Sequence, residues 1–298
     1  MDRIDAMQAF AAVAELRGFA AAARKLGLSP SGVTRLIAAL EDRLGARLLQ
    51  RTTRSVTLTD VGARYLERIR RILGDVEEAE NAVEGERTRP GGRLVVSAPI
   101  GFGRLHVSPV MSAYLMRYPE VSGELRLSDQ MINLVEDGVD LAIRIGHLAD
   151  SSLVARQVGE MRRIVVASSG YLKARGEPKL PGAIASHETI QFGGTGASPD
   201  WRFVEDGHEI RIACTPRFTT NSADAAIQYA ERGGGLTRVM AYQADESIKA
   251  GRLKIVLAKF EQPPLPIHIV YPTSRLLSAK VRSFIDLVIE KSDWHFGR

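Results

Sequence analysis

Ser29-Pro30-Ser31-Gly32-Val33-Thr34-Arg35-Leu36-Ile37-Ala38-Ala39-Leu40 decides how the chain is read. Ser29 suits a helix N-cap, because its hydroxyl accepts a free amide of the first turn. Pro30 then takes the first helical position, where no amide donor is missed. Val33, Leu36, Ile37, Leu40 and Leu44 recur at three- and four-residue spacing and predict one core stripe. The opposite face carries Ser31, Thr34, Arg35 and Ala38, small at its start and basic one turn along. A helix entering a DNA major groove needs small residues for close approach, and hydroxyls and arginine for base edges and phosphates.

On the N-terminal side, the pattern predicts a helix over Ile4–Leu16 with Met7, Phe10, Ala11 and Ala14 on one face, stopping at Gly18. A short helix follows over Phe19–Leu26 and stops at Gly27. On the C-terminal side, Arg51–Leu58 predicts a short β-ribbon with two arginines near its tip, suited to DNA backbone or minor groove. Between Arg17 and Leu58 eight basic residues face two acidic ones, a local net of +6. Three-helix packings also occur in modules that never touch DNA, and charge runs often only solvate a face. Periodicity alone leaves both readings open.

The residues also carry a resemblance. Ala22-Ala23-Arg24-Lys25-Leu26-Gly27-Leu28, the Ser29–Ile37 stretch, Leu40-Glu41, Leu44-Gly45, Leu48–Arg54 and Val56–Gly62 resemble the winged helix-turn-helix of LysR-type transcriptional regulators. Two departures stand out: Arg17-Gly18-Phe19 replaces the usual Gly-Ser-Phe, removing a cap from the second helix, and Gln50 replaces a common phenylalanine. The resemblance implies an α/β chain: a winged helix-turn-helix (1–58), a linker helix and hinge (59–90) and a two-lobed effector domain (91–298) similar to periplasmic solute-binding proteins. Lobe one is projected as 93–160 plus 266–291, and lobe two as 161–265. The expected DNA contacts are Ser29, Pro30, Ser31, Thr34, Arg35, Arg51, Thr53 and Arg54. The partners implied are double-stranded promoter DNA, a further copy of the chain (homodimer or homotetramer) and a small-molecule effector.

From Leu58 onward, Val61, Tyr65, Ile69, Ile72, Val76, Ala79 and Val83 keep a spacing close to a heptad seam, with Thr59 as N-cap. So narrow a stripe buries little unless a second helix meets it, although packing on the helix's own domain is the alternative. The expected pairing residues are Tyr65, Ile69, Ile72, Val76 and Val83. The helix is basic over Arg64–Arg71, and Asp75–Glu86 holds six acidic residues and no basic one. The resembled family pairs this helix antiparallel, which here sets plus against minus. Thr88-Arg89-Pro90-Gly91-Gly92 then reads as a break between domains.

Composition narrows the rest. The chain has 298 residues, 45% apolar and 25% charged, with a net charge of +5, which excludes a largely disordered chain. The longest uncharged stretch, Gln262–Ser274, holds four prolines in thirteen residues and is too short and broken to span a bilayer. Ala6–Ala14 has a signal-peptide look, but Asp2 and Asp5 spoil the basic region that should precede it. A single cysteine, Cys214, excludes an intrachain disulfide and fits a cytoplasmic protein. Six scattered histidines suggest no zinc site, so no metal and no cofactor are expected.

Beyond Arg93 strands and helices alternate: Leu94–Ser97, a helix over Arg104–Arg117, Val121–Leu127, a short helix near Met131–Glu136, and Val139–Ile145. Ligands of α/β sheets bind beyond the carboxyl ends of strands, where helix N-termini offer amides. That rule selects Ser97, Ile100, Ser128, Arg144, Gly146 and Asn221 as effector-binding candidates. Each has a structural alternative: Ser97 or Asn221 as a helix cap, Arg144 as the partner of a carboxylate such as Asp140. Arg144 is the cation placed nearest these donors, and donors of this kind favour an organic anion. A solute-binding protein would share the lobes but not the basic N-terminal module. An enzyme would need GxSxG, HExxH, a P-loop or a Cys–His pair, none of which is present, so no enzyme is expected.

Overall fold

A computed structural model describes the chain apart from residues 1, 52–55, 84–89, 149–152, 194–199, 273–277 and 297–298. It divides into two compact units, Met1–Gly92 and Arg93–Arg298.

The first unit packs α1 (Arg3–Leu16), α2 (Phe19–Leu26) and α3 (Pro30–Leu44) against the start of α4 (Asp60–Val83), with a β-ribbon of β1 (Leu49–Arg51) and β2 (Val56–Leu58). Helix α1 is enclosed by more than one face, with Ala6, Met7, Ala9, Phe10, Ala11, Ala12 and Val13 all buried, because three helices contact it. Its alanines permit that close approach. Arg17, not Gly18, ends it in the left-handed region (φ 51°), and Gly18 opens α2 without a side-chain cap. Ser29 caps α3 as expected, accepting the Gly32 amide at 3.0 Å. Val33, Ile37 and Leu40 form the core stripe, whereas Leu44 is exposed at the helix end and the buried place beside Leu40 belongs to Glu41. Thr59 caps α4 through the Gly62 amide (2.9 Å). Gly62 has no room for a side chain, because a Cβ there would lie 2.0 Å from the Leu48 carbonyl oxygen.

The second unit contains two mixed sheets. One has the order β15-β6-β14-β5-β3-β4, formed by β3 (Gly92–Ala98), β4 (Val121–Leu127), β5 (Leu141–Ile145), β6 (Leu153–Met161), β14 (Leu265–Pro272) and β15 (Trp294–Phe296). The other has the order β11-β8-β12-β7-β13, formed by β7 (Arg163–Ser168), β8 (Thr189–Phe192), β11 (Pro216–Thr220), β12 (Leu236–Met240) and β13 (Leu253–Val256). A hairpin of β9 (Trp201–Glu205) and β10 (His208–Ile212) packs on the second sheet's apolar face. The chain passes from one sheet to the other at Arg162 and returns between Val256 and Leu265. Arg162 and Glu261, one on each passage, form a two-pronged ion pair at 2.8 and 2.9 Å.

Two expected helices differ. The first begins earlier, as α5 (Ile100–Phe102), widens into a π-helical turn over Gly103–Val107 and continues as α6 (Ser108–Arg117). The second, near Met131–Glu136, is a series of turns, because the Asn133 side chain takes the Val135 and Glu136 amides at 3.1 and 3.4 Å. After β11 come α8 (Ala223–Glu231) and then, beyond β12, α9 (Ala241–Lys249); α7 (Ser169–Arg175) follows β7 and α10 (Ala279–Lys291) precedes β15.

Candidate functional site

The exposed face of α3 starts with Pro30 and Ser31 and continues one turn later with Arg35. The hydroxyls on this face are not equivalent. Ser29 is committed to its cap and lies 3.1 Å from the Ser31 hydroxyl. Thr34 donates to the Pro30 carbonyl at 2.9 Å, so its oxygen faces outward only as an acceptor. Ser31 and the Arg35 guanidinium remain the reaching groups. Arg51 pairs with Val56 across the ribbon. Thr53 and Arg54 lie outside the described residues, as do the side chains of Arg51 and Val83.

Glu41 was not singled out by sequence, yet it joins the helix to the ribbon. Its carboxylate is buried, accepts the Leu48 and Leu49 amides at 2.7 and 3.1 Å, and meets Arg47 at 3.1 Å. An acidic residue beside Leu40 in a basic module reads as surface; only the fold brings the ribbon's amides to it.

Helix α4 corrects the expected seam. Ile69 is fully buried in its own unit together with Leu66, a residue outside the seam, and Tyr65 and Leu73 pack partly against the same core. Val61 and Ile72 stay exposed, and Val76 is half-buried. At about 100° per residue, Val61, Ile72, Tyr65 and Val76 occupy roughly the first 60° of the apolar arc, and Ile69, Leu73 and Leu66 the rest. The unit's own core takes up one part of the arc, Ile69 included, and leaves Val61 and Ile72 exposed on the other.

In the second unit, the six candidates divide. Ser97 and Arg144 share a face of the first sheet, since Ser97 pairs with Ala142 in parallel register. Ser97 is buried, and the Ser128 amide ties the end of β4 to the Ala98 carbonyl at 3.0 Å. Arg144 is half-buried, and its guanidinium reaches the Met131 sulfur and the Ile132 carbonyl, both at 3.2 Å. Burial pulls its pKa below the usual arginine value. Among the described residues no carboxylate pairs with it: Asp140 instead accepts the Val95 amide (2.8 Å) and lies 3.9 Å from Lys280. Gly146 (φ 124°) donates its amide to Pro266 (2.9 Å).

The Ile100 amide, expected to be a free donor, is held by the Asp129 carboxylate at 3.0 Å. Asn221 does not cap α8; Ser222 does, through the Ala225 amide (3.3 Å), which leaves Asn221 exposed at the end of β11. Two further residues link the sheets here. Tyr242 of α9 stacks edge-on against Phe102, and Arg104 reaches Asp224 at 4.0 Å. Burial, with Asp129 and Asp224 adding, pushes the Tyr242 phenol up to about 12. Nothing in the sequence brings Tyr242 next to Phe102.

Comparison with known proteins agrees with this architecture. Residues 4–63 match the family described as "Bacterial regulatory helix-turn-helix protein, lysR family", and residues 87–293 match the "LysR substrate binding domain". An HTH-type transcriptional regulator of Xanthomonas campestris is 35% identical over 95% of this chain and 83% of its own length. The structure of CrgA, a LysR-type transcriptional regulator from Neisseria meningitidis, is 30% identical over 98% of this chain and 99% of that one, with a TM-score of 0.61. The full-length structure of the Vibrio cholerae virulence activator AphB is 27% identical over 97% and 99%, with a TM-score of 0.62. Its relatives are regulators rather than enzymes, and no described helix is long and apolar enough to cross a membrane. A basic winged helix-turn-helix followed by a two-lobed α/β effector-binding domain makes this chain a DNA-binding transcriptional regulator of the LysR family.

Proposed function

We propose that the chain acts in the cytoplasm as a homodimer or homotetramer that binds promoter DNA and changes that binding when a small organic anion enters the cleft between its lobes. Residues 1–58 read the DNA, 59–90 pair the subunits and 91–298 hold the effector. Ser31 and Arg35 contact DNA from α3, and Arg51 and Arg54 are assigned to it from the sequence alone. Arg144 carries the choice of ligand: it is a half-buried guanidinium served only by neutral acceptors among the described residues. A carboxylate there gains a charge-assisted, two-pronged contact. Ser97, on the same sheet face, with Ser128, Gly146 and Asn221 from other strand ends, completes the proposed set, although the Gly146 amide is already taken by the Pro266 carbonyl. The Ile100 amide joins them only when the effector displaces Asp129. An internal disulfide plays no part in the signal, because Cys214 is the one cysteine of the sequence, and burial pushes its thiol up to about 11, away from the reactive thiolate.

The test is fluorescence anisotropy of the full chain on its own upstream DNA, with and without a panel of small carboxylates. One of them should shift DNA affinity by about 5- to 150-fold, the usual range of such coupling. Arg144→Ala should bind DNA as before and lose that shift. A variant that responds like the wild type overturns the assignment of Arg144.

A further inference from the structure

A second group of cations lies on the other sheet. In the antiparallel pairing of β7 and β12, Arg163 stands opposite Met240, and Arg238 stands opposite Val165. The two arginines are therefore diagonal neighbours on one face. Val165 and Leu236 of that face are buried with Trp201, Phe203 and Cys214. The Arg238 guanidinium lies 5.9 Å from the centre of the Trp201 ring and donates to the Arg202 carbonyl at 3.1 Å, so its orientation is fixed. Arg202 stands at the rim, half-exposed, with Glu209 at 3.7 Å.

Arg163 and Arg238 are mostly enclosed, yet among the described residues neither has a carboxylate at ion-pair distance. Burial pulls both below the usual arginine value, Arg238 to about 10, and the neighbouring cations add to the effect. Cys214 opposes this only in part, because burial pushes its thiol up to about 11 and toward the neutral form. The adjacent Arg162 shows the contrast, with its charge met by both oxygens of Glu261. Enclosing two unneutralised cations side by side is unfavourable. A ligand that supplied two negative charges would remove that penalty, and guanidinium forks match the geometry of phosphate and carboxylate oxygens.

We propose that Arg163 and Arg238, with Arg202 at the rim and the Trp201 ring as support, form a binding site in the second lobe for a small dianion, a phosphate group or a dicarboxylate. The site shares no residue with the Arg144 set and goes beyond the effector reading above.

Thermal melting of the full chain tests it, using inorganic phosphate, sulfate and malonate, each against sodium chloride at equal ionic strength. At least one dianion should raise the wild-type melting temperature saturably, by several degrees at about a hundredfold excess over Kd. Phosphate or sulfate acting alone indicates a phosphate-like ligand, and malonate acting alone a dicarboxylate. Arg163→Met and Arg238→Met should melt no lower than wild type without anion and should lose the rise. Arg238→Lys, which keeps the charge but not the fork, should bind at least several-fold more weakly and covers the case of a Met variant that does not fold. Arg144→Ala should keep the rise. No dianion-specific rise in wild type overturns the proposal, as does a rise that survives in both Met variants. A rise lost in Arg144→Ala but kept in the Met variants places the anion in the cleft, which overturns this site and leaves the effector reading standing.

Discussion

Arg17 holds a left-handed backbone (φ 51°) where glycine is favoured, and Gly18 caps α2 with no side chain. The left-handed region costs an ordinary residue about 1 kcal/mol, and a glycine at an N-cap forgoes a few tenths relative to serine. Arg17→Gly with Gly18→Ser should therefore raise the stability of the DNA-binding unit by about 1 kcal/mol, read from urea unfolding. Glu41 works in the other direction. Glu41→Ala leaves the Leu48 and Leu49 amides buried without an acceptor and should cost about 2–3 kcal/mol, loosening the ribbon before the helices. Unchanged unfolding would mean that water replaces the carboxylate. The two residues differ in legibility. The missing cap at Gly18 is visible in sequence because capping is local, whereas the pattern puts the helix stop at Gly18 and the left-handed position falls at Arg17. The role of Glu41 depends on amides seven and eight residues away and becomes visible only once the chain turns back.

At the scale of elements, α4 divides one apolar arc between its own unit and a free surface. The spacing of Leu58 to Val83 reveals an apolar arc but cannot say which half is already occupied, because that depends on how α1 packs. Val61 and Ile72 lie on the free half, both exposed. Ile72→Glu should leave the fold intact and cost several kcal/mol of association if that surface is the pairing surface. Sedimentation should then show smaller species, and an unchanged mass would return α4 to a single-subunit role. The π-helical turn Gly103–Val107 gives a second element-scale prediction. It presents His106 to Phe102, Tyr242 and Phe296, with Nε2 buried and unpartnered among the described residues. Burial lowers the His106 pKa, with Asp245 on α9 partly opposing, and His187 is lowered too, by burial and by Arg175. A depressed histidine pKa means the unfolded chain takes up the proton first. The stability it supports is complete above the unfolded value and is lost as pH falls through the folded one. Melting temperature should fall between about pH 7 and pH 5, and His106→Phe should flatten part of that slope. A slope identical to wild type would contradict the argument.

For the whole molecule, the order of parts was legible from patterning: a basic helical module, a long helix, a proline–glycine break, then strand–helix alternation. The strand Val121–Leu127 lies where its residues predict it, and the helix after Thr220 starts behind Ser222. What pattern could not supply is closure between distant segments. The Arg162–Glu261 clamp joins residues 99 positions apart, and Asp129 fills the amide that the strand-end rule left open. Local periodicity reports which face is apolar, not which chain segment meets it.

Base reading by Arg35 of α3 is tested most directly by binding of the full chain to duplex DNA from upstream of its own coding sequence. Anisotropy titrations against a scrambled duplex, repeated over a range of salt, separate base reading from phosphate attraction. Wild type should prefer its own sequence, with affinity falling steeply as salt rises. Arg35→Ala should lose about 1–3 kcal/mol on that sequence, roughly 5- to 150-fold, and narrow the gap to the scrambled duplex. Superimposable isotherms for the variant and wild type on both duplexes would contradict it.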